Sequence, residues 1–115
     1  MKKSIIEDSL LFEVKDVFSK RIRTSKKYWQ YILETKHKEA IGLLKVNDAF
    51  KSIQKPDEVY RTEDKYVLRF YKRNEIVKLF ICTIVRYLNG DGFIITSYLT
   101  SKKKRRGEKI WPKAI

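Results

Sequence analysis

Two apolar segments on either side of Asn89-Gly90-Asp91-Gly92 constrain this chain more than any other feature. They are Leu79–Leu88 and Phe93–Thr100, both rich in the β-branched and aromatic residues that suit a pleated surface. Asn and Gly tolerate the positive φ angles of a tight turn, so the segments are predicted to pair as antiparallel strands at the centre of a sheet. They also carry Thr83, Arg86, Thr96, Ser97 and Tyr98. A cation, hydroxyls and a phenol on a rigid sheet suit a phosphodiester. Loop length decides which face Arg86 occupies. An odd number of loop residues places it with Thr96, an even number with Ser97.

Upstream, Leu10–Val14 and Arg21–Thr24 read as short strands. A helix follows, capped by Thr24 or Ser25, with Tyr28, Trp29, Ile32 and Leu33 at helical spacing, and it runs to Lys36-His37. A second helix spans roughly 38–53, with Leu43, Val46, Phe50 and Ile53 on one side, and Pro56 ends it. Strands are expected at 58–61 and 66–72, where Leu68 and Phe70 alternate with Arg69 and Tyr71. The expected fold class is α+β: two helices packed on one face of a four-stranded antiparallel sheet. Phe93, Ile95 and Leu99 form the more apolar face of the last strand, so Thr96 and Tyr98 should point away from the helices.

The 115 residues form one expected domain, 1–115, large enough for a core without disulfides or metal. The lone Cys82 cannot pair internally, which favours a reducing, cytoplasmic setting. No leader-like or bilayer-spanning run is visible, so no membrane is expected. Charge is the strongest global property: 27 Lys plus Arg against 14 acids gives +13. The C-terminal segment 101–115 supplies +6, and +7 is spread over residues 1–100. Such a field attracts polyanions, and RNA or a ribonucleoprotein fits better than a membrane because no segment pairs a Lys-rich face with a continuous apolar one. Lys102, Lys103 and Lys104 lie in this basic run, and the apolar Ile110-Trp111 beyond it is expected to dock back, holding the run beside the last strand.

No HExxH, Cys-x-x-Cys, P-loop, acidic metal cluster or Gly-x-Ser-x-Gly occurs. Neither a metal nor a cofactor is expected. The remaining inventory of His, Arg, Lys, Tyr and hydroxyls suits RNA cleavage by its own 2′-hydroxyl, which supplies the nucleophile. His37 titrates near neutrality, Arg69 and Arg86 can hold phosphate bidentately, and Thr96 and Tyr98 can orient it. Each residue also has an ordinary role open to it. His37 ends a helix and complements its dipole. Arg86 can be a solvated strand residue, Thr96 and Ser97 strand fillers, Tyr71 and Tyr98 packing residues, and Trp29 a core residue rather than a stacking platform.

The ordered set of motifs resembles the small phage and bacterial branch of the barnase/EndoU/colicin/RelE-like nuclease superfamily. The matching residues are Tyr28–Ile32 with Lys36-His37, Lys55–Val59, Tyr66–Tyr71, Val85-Arg86, Gly92–Thr100 and Gly107–Trp111, covering roughly 20–111. The resemblance implies a toxin-like, metal-independent endoribonuclease, often neutralised by an antitoxin or immunity protein, here an acidic one on charge grounds. It points to His37, Arg86, Thr96 and Tyr98 as catalytic. Arg69, Tyr71, Trp29, Lys36, Ser97 and Lys102 to Lys104 are then the expected substrate-binding residues. No strand glutamate is well placed as a general base, which departs from barnase itself. The alternative is a non-catalytic RNA- or ribosome-binding module. A structural or protein-interaction domain is a third reading.

Overall fold

The computed structural model describes residues 10–32, 46–76, 78–101 and 107–112. The elements are β1 (Leu10–Lys15), β2 (Arg21–Ser25), α1 (Lys26–Tyr31), α2 (Val46–Gln54), β3 (Glu58–Arg61), β4 (Val67–Asn74), β5 (Leu79–Leu88), β6 (Asp91–Thr100) and β7 (Lys109–Trp111). All seven strands join one mixed sheet in the order β1-β2-β6-β5-β4-β3-β7. This corrects the expectation of two helices on a four-stranded antiparallel sheet. The β3–β6 meander is only the middle of the sheet. The β1–β2 hairpin extends it by a parallel pairing of β2 with β6, and β7 extends the other side against β3. Phe18, in the β1–β2 turn, meets Trp111 of β7 edge-on at 6.1 Å, so the sheet is curled until its two ends touch. The three residues of β7 are too few to display a period, and nothing in the sequence of β1 or β2 announces a parallel partner.

Local chemistry explains the turns. Asn89 and Gly90 both take positive φ, 54° and 86°, which is the two-residue hairpin connection whose twist matches its strands. The β1–β2 turn is built on Asp16, whose Oδ1 accepts from the backbone N–H groups of Phe18 and Lys20 at 2.8 Å. Its Oδ2 accepts a 2.6 Å hydrogen bond from the Tyr87 hydroxyl, tying the hairpin to β5. Burial, with the Asp16 carboxylate beside it, pushes the Tyr87 phenol far above its ordinary pKa. The Ser25 hydroxyl caps α1 by accepting from the Tyr28 N–H at 3.0 Å.

The main core lies on the side of the sheet covered by α2. Ile22, Trp29, Ile32, Ala49, Ile53, Val59, Phe70 and Val85 are buried there. A chain of buried hydroxyls crosses it: Ser52 to Thr83 at 2.7 Å, and Thr83 to Ser97 at 2.9 Å, with Ser52 donating to the Ala49 carbonyl. These polar side chains are satisfied inside an apolar layer and fix α2 against β5 and β6.

Gly92 sits where β2 meets β6. A Cβ there would fall on Ile22 Cδ1 and lie 2.8 Å from Val85 Cγ1. Gly92→Ala should therefore lower stability by about 1–3 kcal/mol through overpacking, read as a fall in urea midpoint. A neutral substitution would mean that β2 and β6 are not in this close register.

Candidate nucleic-acid interface

Strand register assigns each candidate residue to a face. Arg86 opposes Phe93, and Phe93 opposes Arg23. Arg69 opposes Ile84, which opposes Thr96. Tyr71 opposes Cys82, which opposes Tyr98. All of these lie on the side of the sheet away from α2. A β-bulge is responsible. The two-residue loop alone would place Arg86 with Ser97, but the register shifts between Ile84 and Val85, where Ile95 is the extra residue. The shift carries Thr96 and Tyr98 onto the face of Arg86 and Phe93 and turns Ser97 into the core.

This face has two zones. In the middle, Tyr60, Tyr71 and Cys82 are buried, with Phe80, Ile84 and Tyr98 packed against them. Tyr60 and Tyr71 meet edge-on at 6.0 Å. Tyr71 is fully buried, so it is a packing residue and not a solvent-facing contact. Burial, with hydrogen bonding to Cys82, raises the Tyr98 phenol well above its ordinary pKa, which suits packing and hydrogen bonding better than proton transfer at neutral pH.

The second zone is the row Arg86–Phe93–Arg23. The Phe93 ring is 44% exposed and the Arg23 guanidinium lies 5.4 Å from its centroid, a cation–π arrangement. Arg23 Nη2 donates to Asp91 Oδ2 at 2.8 Å, and Arg21 donates to both Asp91 oxygens at 3.1 and 3.3 Å. Arg86 Nη1 donates to Asp64 Oδ2 at 2.9 Å. Each guanidinium is thus oriented by a carboxylate while keeping further N–H donors. The Arg21 hydrogen bond holds the Asp91 carboxyl below the usual range; at Asp64 the larger cause is the Tyr66 backbone N–H, with Arg86 adding to it.

Those depressed values fix a pH dependence. A carboxylate whose folded pKa lies below its unfolded one stabilises the fold above the unfolded value of about 3.9, and that contribution is lost as pH falls through the folded pKa. Asp91→Asn should accordingly lower the melting temperature at pH 7, and its difference from wild type should shrink as pH drops below about 4. A difference constant with pH would show that the Asp91 charge is not what holds Arg21 and Arg23.

Beside this row, the parallel pairing of β2 and β6 stops after Arg23 and Phe93, and the strands part. A cleft of about 410 Å³ opens there, lined by Arg23, Thr24, Ser25, Tyr28, Arg86, Leu88 and Phe93 to Ile95. The Tyr28 hydroxyl bridges the gap by donating to the Ile95 carbonyl at 2.7 Å. The lining is mostly apolar, with the two arginines as its charged groups.

The other sequence-derived candidates fall elsewhere. Trp29 is in the core, 8% exposed, and Ser97 is fully buried in the hydroxyl chain under α2. Arg69 and Thr96 are half-buried on the outer face. Lys36, His37, Lys102, Lys103 and Lys104 lie outside the described residues. Trp111 docks, through β7 beside β3, while the basic run 102–106 expected beside the last strand lies outside the described residues. Arg23 and Phe93 were not singled out in the sequence. Plain alternation puts Phe93 on the apolar face, because a bulge leaves no compositional mark. The nearest signal was the alternation Arg21-Ile22-Arg23-Thr24, which places both arginines on one side.

Among the described residues, no group of three or more His, Cys, Asp or Glu side chains is gathered to hold a metal ion, and no helix is long and apolar enough to cross a membrane. No family model, curated protein or solved structure matches the chain.

Proposed function

We propose that the protein binds single-stranded RNA on the arginine–aromatic side of its sheet. The observation that carries this reading is the row Arg86–Phe93–Arg23: an exposed ring flanked by two carboxylate-oriented guanidiniums on a chain of charge +13. Guanidiniums take phosphates, and an exposed ring offers the sequence-tolerant stacking surface on which single strands bind. An acidic protein presenting carboxylates in place of phosphates would compete for the same cations. The direct test is fluorescence anisotropy of a labelled oligouridine. Binding that is lost with added salt and weakened by Arg86→Ala and Phe93→Ala supports the reading, and absence of binding at 50 mM salt rejects it.

Metal-independent cleavage of the bound RNA is a second reading, favoured by the convergence of Arg69, Arg86, Thr96 and Tyr98 on that same face. It rests on His37 for proton transfer. RNA incubated with the protein in EDTA should then yield 2′,3′-cyclic phosphate ends, and His37→Ala should slow this by about 10²–10⁴-fold. Intact RNA after prolonged incubation leaves the binding module.

A further inference from the structure

We propose that the cleft between β2, α1 and β6 receives one unstacked nucleobase of the bound strand. This deepens the RNA reading and rests on it.

Four observations lead to this occupant. The cleft's roughly 410 Å³ falls within the 300–1,000 Å³ typical of small-ligand sites, so it admits a single flat ring system and not a helix. Its lining is apolar, which a phosphate would avoid and a base face would not. Leu88 and Phe93, 62% and 44% exposed, stand at the rim of the cleft and carry its apolar lining out to solvent, where a strand can reach it. Finally, Arg23 and Arg86 also line the cleft and keep N–H donors beyond those used by Asp91 and Asp64, so an occupant joined to anionic groups is favoured. An apolar ring joined to anionic neighbours is the description of a nucleotide within a strand. An apolar peptide side chain would use the lining but not the guanidiniums.

The geometry assigns the parts as follows. Phe93 and Leu88, 44% and 62% exposed, supply the apolar surface at which the base leaves its stack. Arg23 and Arg86 take the flanking phosphates. Because every base presents an apolar face, little discrimination among the bases is expected from this lining.

The test compares a single-stranded oligouridine with a fully abasic strand of equal length and charge, both measured by anisotropy against wild type, Leu88→Ala and Phe93→Ala. Wild type should bind the uridine strand at least 5-fold more tightly than the abasic one, since stacking contributes about 1–3 kcal/mol per base. Leu88→Ala, which removes exposed apolar lining, should weaken uridine-strand binding about 2- to 10-fold and leave abasic binding unchanged. Phe93→Ala should abolish the preference for bases. Thermal unfolding of each variant separates loss of the site from loss of the fold. Equal affinity for the two strands, unaffected by either variant, overturns the base site while leaving phosphate binding in place. Failure to bind either strand rejects the RNA reading itself.

Discussion

Raising salt from 50 to 200 mM should weaken binding of a single-stranded RNA about 100-fold. The outer face and its margin present Arg21, Arg23, Arg73, Arg86 and Lys109, each exposed or half-buried on strands β2, β4, β5 and β7. If about five phosphates are neutralised, log K falls with log salt at a slope of roughly −0.7 per contact, or about −3.5, and a fourfold change in salt gives about two decades. The carboxylates beside these arginines do not cancel the effect. Exposed ion pairs are individually weak, including Arg73 with Glu75 and Lys109 with Glu58, and each guanidinium retains donors that its carboxylate does not use.

Two variants separate the parts of that number. Arg86→Ala removes one phosphate contact, so it should lower affinity and reduce the slope by about 0.7. Phe93→Ala removes stacking surface and should lower affinity at every salt concentration with the slope unchanged. Polyglutamate of matched charge is the control for a generic attraction to polyanions. Equal affinity for polyglutamate and RNA, with Phe93→Ala silent, would reduce the site to a cationic patch. A slope near zero would remove phosphates from the account altogether.

The sequence showed the strand pairs that carry long runs of alternation and missed those that do not. Residues 79–88 and 93–100 each supply many β-formers around an Asn-Gly turn, and their antiparallel pairing follows from local chemistry alone. The placement of β1, β2 and β7 depends instead on tertiary closeness. Ile22 lies against Gly92, and Trp111 reaches Phe18, contacts between residues far apart in the chain. The site divided in the same way. Arg86, Thr96 and Tyr98 stand out by residue type, but the single residue that brings them to one face, Ile95 in the bulge, is one isoleucine in an apolar run. Residue type told which side chains could bind phosphate. Register, set by one inserted residue, told which of them share a surface. It also sent Ser97 into the core, where its hydroxyl completes a chain begun at Ser52.

Phe70→Ala should cost about 3–5 kcal/mol, among the largest effects expected of a single substitution in the described core. Phe70 is fully buried in β4, which is hydrogen-bonded on one side to β3 and on the other to β5. Its ring faces the α2 side of the sheet and lies 6.4 Å from that of Phe18. A cavity in this place cannot close easily. β4 is held by ladders on both flanks, and the Ser52–Thr83–Ser97 chain fixes α2 above the neighbouring strands. Phe18 belongs to the hairpin anchored by Asp16 and reaches Trp111 on the far end of the sheet, so the lost ring lies under the contact that closes the curl. Typical domains have only 5–15 kcal/mol of stability, so the variant should be detectably unfolded at moderate urea where wild type is native. The expected result is a much lower urea midpoint with an unchanged m-value. A cost below about 1 kcal/mol would mean that Phe70 is not enclosed and that the sheet does not curl over α2. A lower m-value would mean that the hairpin and β7 have already come away in the native state of the variant.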